Sequence, residues 1–206
     1  RKTIFMKTVV LGTKNPAKVA QYTTLFKSMS GFRFISLRDL PSMDKSIMEP
    51  FDTAEQNAHH KAVQYRDLFN KDVFTNDQAL YIDCLSSKEQ PGTLVRRVNG
   101  GCNLSDQEVH EYYLKLFCDQ PEQELSAYWR HAFCVATITG EFYEMVVDKP
   151  CLFIKEPIGA YTPGYPLSSL CKDPLIGKVD ARMTKKDQQF LNTKYFSGVV
   201  DLWKKV

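Results

Sequence analysis

The chain has 206 residues, 43% hydrophobic and 25% charged, with ten glycines and ten prolines, a globular balance that excludes disordered and fibrous classes. Its formal charge of +3, from 27 basic and 24 acidic residues, is too small to point to nucleic acid. No apolar run approaches the roughly 20 residues that span a bilayer. A core of useful size is available, so residues 1–206 are expected to form one domain or two tightly fused lobes. Residues 1–6 read as an extension, because the chain opens on Arg1 rather than Met, and Arg1-Lys2-Thr3-Ile4-Phe5 lacks the long apolar stretch of a secretory signal.

In chain order, Thr8–Leu11 reads as a short buried strand that runs into a Gly12-Thr13-Lys14 turn. Asn15 is then a natural N-cap with Pro16 at the first helical position, and Val19, Tyr22, Leu25 and Phe26 give that helix an apolar face. A second strand is expected over Phe32–Ser36, followed by a polar loop through Pro50. Thr53 opens a helix with Gln56 at capping-box spacing, and Ala54, Ala58, Ala62 and Val63 form a small-residue stripe. Val73–Phe74 and Ala79–Ile82 read as two strand pieces around a polar centre, Asn76-Asp77-Gln78. Turns are expected at Pro91-Gly92 and Gly100-Gly101, and Ser105 caps a helix that carries Val109, Tyr112, Tyr113, Leu116 and Phe117. Ser126–Thr139 and Glu141–Val147 form an antiparallel hairpin through Thr139-Gly140. Thr184 caps a last helix that reaches at least Leu191. The polar stretches Ser42–Glu49 and Lys155–Asp173 are candidate binding loops.

The six cysteines are scattered without a CxxC pair and read as free, mostly buried thiols of a reducing compartment, which implies a cytoplasmic protein. His59 and His60 are adjacent, so on a helix they point about 100° apart and do not jointly clasp a metal. The loop ahead of Pro16 is a different matter. A helix N-terminus offers unpaired N–H groups and a positive dipole end, which suits phosphate. Lys14 and Lys18 flank it, and Thr13 and Asn15 add polar contacts, although neither a Walker loop nor GxGxxG is present.

The run Val9-Val10-Leu11-Gly12-Thr13-Lys14-Asn15-Pro16-Ala17-Lys18 resembles the opening of the inosine triphosphate pyrophosphatase (Ham1-like) family, in which a strand is followed by Thr or Ser, any residue, Asn, two residues and Lys. Further likenesses follow in order. Glu49 matches the family's acidic residue, and Thr53–Ala62 its TFxxNAxxKA helix. Val73–Leu85 is similar to its second acidic block, Pro91–Arg96 to its PG turn ending in a basic residue, and Ala181-Arg182-Met183-Thr184 to its AEMS helix start. The match runs from about residue 8 to 194. A related fold, the Maf family, shares the basic opening loop but lacks the last two of these features.

The resemblance implies an α/β fold with a mixed, elongated central sheet flanked by helices, and two lobes with a cleft between them. It also implies Mg²⁺-dependent hydrolysis of a nucleoside triphosphate, favouring non-standard purines, to the monophosphate and pyrophosphate by a homodimer, with helix 105–118 or the hairpin as its interface. On this reading Glu49 and Asp77 hold the metal, since Mg²⁺ prefers carboxylate oxygens. Asp77 also orients or deprotonates the attacking water, and Lys18 is its catalytic companion. Thr13, Lys14, Asn15, Lys61 and Arg96 bind the phosphates. Tyr165 and Lys194 stand at the positions that bind the nucleoside. Three departures stand against these matches, one at the paired aspartates and two in the nucleoside half. The family's Asp-Asp-Ser-Gly is Asn76-Asp77-Gln78-Ala79, its aromatic–Gly–aromatic–Asp run is Pro163-Gly164-Tyr165-Pro166, and its Ser-His-Arg is Asn192-Thr193-Lys194. The alternative is therefore a catalytically impaired member that binds a nucleotide or a protein partner.

Overall fold

The structure is a computed structural model that describes residues 6–41, 47–98 and 101–206. Residues 1–5 of the expected extension, 42–46 of the first candidate loop and Gly100 of the second expected turn lie outside the described residues. The strands are β1 (Lys7–Leu11), β2 (Phe32–Ser36), β3 (Asp72–Ile82), β4 (Glu124–Ala136), β5 (Phe142–Ile154), β6 (Cys171–Asp173) and β7 (Lys178–Val179). The helices are α1 (Pro16–Leu25), α2 (Ala54–Phe69), α3 (Asp106–Cys118) and α4 (Lys185–Leu202). The strands form one mixed sheet in the order β2-β1-β3-β4-β5-β6-β7. The α/β class and the mixed sheet flanked by helices are therefore as expected.

The chain divides into two compact units. The first holds residues 1–77, 132–146 and 196–206. Here β1 pairs in parallel with both β2 and β3, with Val10 opposite Ile35 and Val73. Parallel neighbours need long crossovers, and α1 and α2 supply them. Asn15 caps α1 by accepting the Ala17 N–H at 2.9 Å, and Thr53 caps α2 by accepting the Gln56 N–H at 3.2 Å. The core is aromatic: Tyr22 of α1 and Phe26, which caps its C-terminus, each meet Phe74 edge-on at 5.0 Å, and Trp203 near the C-terminus stands 5.7 Å from Phe26 and 5.2 Å from Phe32. Ala54, Ala58 and Ala62 are fully buried, so the small-residue stripe lets α2 lie close against the strands. Gly12 serves the same end. A Cβ there would stand 2.7 Å from Thr75 Cγ2, 2.9 Å from Tyr65 Cδ2 and 3.3 Å from the Phe74 carbonyl oxygen.

The second unit holds residues 78–131 and 147–195. Its core packs Leu80 and Ile82 of β3 with Val109, Tyr113 and Phe117 of α3, Phe153 of β5, and Leu167 and Leu170. Phe117 stacks on Phe153 at 4.5 Å. The capping box of Ser105 and Glu108 opens α3 as expected, and Thr184 opens α4 with Asp187, whose backbone N–H it accepts at 3.2 Å.

Several local expectations are corrected. β3 is one continuous strand rather than two pieces, because its polar centre is buried and bonded. Thr75 donates to the Ala58 carbonyl at 2.7 Å, and the Asn76 amide to that of Ala132 at 3.0 Å. Gly92 is not merely a turn residue: it exchanges backbone hydrogen bonds with Leu80 at 2.9 and 3.0 Å. The second hairpin strand runs to Ile154, and the loop Lys155–Asp173 ends in β6. The cysteines are not mostly buried: Cys84, Cys102 and Cys118 are exposed, and only Cys134, Cys151 and Cys171 are covered. Among the described residues no helix is long and apolar enough to cross a membrane.

Candidate active site

Three side chains meet in the first unit. Lys61 projects from α2, and its ammonium donates to Glu49 Oε1 at 2.7 Å, to Asp77 Oδ1 at 2.8 Å and to the Asn76 carbonyl at 3.1 Å. The local causes are simple. Thr53 fixes where α2 starts, the alanine stripe seats it, and Lys61 then faces the middle of β3. Asn57, fully buried, binds both the N–H and the carbonyl of Phe51 at 3.0 and 2.9 Å. That tie holds the strip between Glu49 and the helix start.

The electrostatics follow from burial. The side chains of Lys61 and Asp77 are 10% and 9% exposed, and that of Glu49 is 36% exposed. Burial pushes the Asp77 carboxyl above the ordinary carboxylate range, and the attraction of Lys61 does not fully offset it; Glu49 adds to the rise, while Lys18 acts the other way. Burial also works against the Lys61 ammonium, but Asp77 and Glu49 outweigh it and hold its pKa above the ordinary value. The result is a pair of carboxylate oxygens that converge on one cation, one of them an acid shifted toward proton acceptance. Hard oxygen donors converging in this way fit Mg²⁺ chemistry. Asn76 Oδ1, next in the strand, is buried and accepts no hydrogen bond among the described residues.

The glycine turn is built from its own side chains. Thr13 Oγ1 accepts the Asn15 N–H at 3.2 Å, and Asn15 Oδ1 is the α1 cap. Both therefore order the loop. Lys14 is exposed, and Lys18, half-buried, acts electrostatically on Asp77. The structure thus brings Glu49, Lys61, Asp77 and Lys18 together. Lys61 is held between the two carboxylates.

Arg96, Tyr165 and Lys194 belong to the second unit. The Arg96 guanidinium donates to Asp106 Oδ1 at 2.6 Å and to the Gly164 carbonyl at 3.3 Å, while the Gly164 N–H donates to Asp106 Oδ2 at 2.6 Å. Arg96 is thus half of a bracket on the Pro163-Gly164-Tyr165 turn. Burial works to raise the Asp106 carboxyl, but the Gly164 N–H and Arg96 overcome it and hold it below its usual range. Tyr165 is half-buried, and burial together with the Asp180 charge pushes its phenol up. Lys194 is exposed on α4.

Sequence reading missed a second charged group in this unit. Lys149 Nζ lies 3.9 Å from Asp173 Oδ2 and 3.8 Å from Asp180 Oδ1, and 5.9 Å from the Tyr195 ring. The available signal was alternation along β5, which sets Lys149 on the same face as buried Cys151 and Phe153.

A family model described as the Ham1 family matches residues 9–165. A relative from Oceanobacillus iheyensis, named dITP/XTP pyrophosphatase, is 36% identical over 122 residues; the match spans 59% of this chain and 60% of that protein. Another of the same name, from Halalkalibacterium halodurans, is 28% identical over 201 residues, 96% of this chain and 99% of its own length. Among solved structures, a HAM1 protein from Coxiella burnetii superposes with a TM-score of 0.73 at 19% identity, covering 98% of this chain and all of the other.

Proposed function

The chain belongs to the Ham1 family, and from that premise we propose that it is a Mg²⁺-dependent nucleoside triphosphate pyrophosphatase. Water adds across the α–β phosphoanhydride of the triphosphate and releases the monophosphate and pyrophosphate. Relatives named for dITP and XTP make deaminated purine triphosphates the first substrates to test.

The observation that carries this reading is the convergence of Glu49 and Asp77 on the Lys61 ammonium. Glu49 and Asp77 would hold the ion. When bound, Mg²⁺ supplies charge neutralisation on the triphosphate. Asp77, with its raised pKa, accepts the proton of the attacking water, because a base works best with a pKa drawn toward the working pH. Lys61 keeps the two carboxylates from repelling each other and offers ammonium protons to phosphate oxygens as they arrive. Lys18 and Lys14 add positive charge, and Thr13 and Asn15 shape the loop that receives the phosphates. In the second unit, Arg96 and Asp106 set the Gly164 turn, from which Tyr165 offers a ring to the base.

The thiols, none of them disulfide-bonded, support a cytoplasmic protein. A homodimer is best supplied by the β4–β5 hairpin, where Ile138, Phe142 and Val146 are exposed. The aromatic face of α3 is unsuited to this, since Tyr113 and Phe117 are buried in their own core.

The test is pyrophosphate release from a panel of standard, deaminated and modified triphosphates, with and without Mg²⁺. Release abolished by EDTA and by Asp77→Asn is expected. A panel without turnover would instead favour nucleotide binding alone, the reading to which Asn76 at the family's paired-aspartate position points.

A further inference from the structure

The proposed reaction leaves one group of donor atoms in the first unit unused. His59, on α2, places Nδ1 2.8 Å from Glu144 Oε1 of β5. Cys134, buried on β4, brings its thiol close to the same carboxylate. One ligand atom from each of the three lies within 4.8 Å of those of the others. His59 and Glu144 also line an open depression together with Phe51, Glu55 and Val63, so the group is reached from solvent on one side and closed by the core on the other.

An imidazole, a thiol and a carboxylate are the donors of a borderline ion, not of Mg²⁺, which takes oxygen. In a tetrahedral zinc site the ligand atoms stand about 3.5 Å apart, so small side-chain shifts suffice. A fourth position then faces the depression, where water completes the coordination. We propose that His59, Cys134 and Glu144 form a binding site for a Zn²⁺-class divalent ion, separate from the Glu49–Asp77 pair.

The surrounding charges allow it. Arg66 opposes a cation here, but its guanidinium is paired with Asp67 at 2.7 Å, and Glu144 and Glu55 bring negative charge to the depression. Burial and the neighbouring Glu144 push the Cys134 thiol up to about 12, so it carries its proton at neutral pH until the ion arrives. Binding then forms a sulfur–metal bond, and the thiol proton leaves to solvent by way of the Glu144 carboxylate that it already faces. No electron changes hands. Such an ion would tie α2 to the β4–β5 hairpin, two residues before Lys61.

Cobalt(II), a coloured stand-in for zinc, tests this in the full chain with exposed Cys84, Cys102 and Cys118 changed to serine. One equivalent should produce a thiolate-to-cobalt charge-transfer band that Zn²⁺ bleaches and excess Mg²⁺ does not. Cys134→Ser should remove the band, and His59→Ala and Glu144→Gln should each weaken zinc binding at least tenfold. Zinc at a hundredfold excess over its Kd should raise the melting temperature by roughly 5–10 °C, and at the same zinc concentration His59→Ala should cut the rise to about half or less. Because His59 and Glu144 are accessible, their variants decide the matter even if Cys134→Ser does not fold. A missing band, or binding indifferent to all three substitutions, overturns the proposal and leaves the three groups as a hydrogen-bonded link.

Discussion

The Glu49–Lys61–Asp77 cluster of the first unit and the Arg96–Asp106 bracket of the second handle their acids in opposite ways. In the first, Glu49, Lys61 and Asp77 are drawn within 2.8 Å contacts, and the buried acid is pushed up. In the second, Asp106 is held down by a backbone N–H and Arg96, while Asp180, 3.8 Å from Lys149, is pushed up by burial as Asp77 is. A raised acid beside a cation is a poised group, ready to take a proton or a metal. A lowered acid bonded to a turn is a bracket, and its work is to hold backbone in place. The family likeness divides along a similar line: Glu49, Lys61 and Asp77 match the family, although Asn76 stands for the first aspartate of its pair, while the turn Pro163-Gly164-Tyr165-Pro166 has lost an aromatic and an acid.

The largest effect should come from breaking the poised cluster. Asp77→Asn is expected to lower pyrophosphate release by about 10²–10⁴-fold, the usual range for losing a positioned acid–base group, with little change in melting temperature. Lys61→Met tests the cluster's cohesion instead. It leaves two carboxylates together without their cation and should cost about 3 kcal/mol of stability at neutral pH, read by urea unfolding, with the loss shrinking as pH falls and Asp77 takes a proton. Gly12→Ala should destabilise the same unit by roughly 1–3 kcal/mol through overpacking against Thr75 and Tyr65, seen as a lower melting temperature; an unchanged value would mean that the β1 turn yields freely.

The bracket should respond more gently. Arg96→Ala is expected to raise KM about tenfold at nearly constant kcat, as when one charged hydrogen bond that positions substrate is lost. A fall in kcat alone would move Arg96 from positioning to chemistry. The smallest signal is also the most direct comparison. In a carboxyl NMR titration, Asp77 should protonate above the ordinary aspartate value of 3.8 and Asp106 below it. For Asp77 the folded pKa is raised, so its contribution to stability is full below 3.8 and falls away as pH rises through the folded value. For Asp106 the folded pKa is depressed, so its contribution is present above 3.8 and is lost as pH falls through the folded value. Titration in the same direction at both sites would erase the distinction.

Local chemistry was readable from the chain. Asn15, Thr53, Ser105 and Thr184 cap the helices that their spacing predicts, since each bond closes within three residues. What needed the fold were partners distant in sequence. β3 looks interrupted at Asn76-Asp77-Gln78 because the carbonyls of Ala58 and Ala132, which satisfy its polar centre, come from other elements. The two carboxylates that hold Lys61 lie 12 and 16 residues away, beyond the reach of local spacing. The neighbours of Arg96, Asp106 and a turn 68 residues on, likewise needed the fold. The Cys134 group was hidden more deeply, since its three members come from α2, β4 and β5.

The distribution of thiols has a practical consequence. The exposed cysteines, Cys84, Cys102 and Cys118, all fall in the second unit, and the first unit's cysteine, Cys134, is fully covered. A thiol-reactive fluorophore applied to the native chain would therefore mark one unit and leave the other dark. The rate at which Cys134 eventually reacts would then be a clock for the opening of the first unit, read without introducing a single mutation.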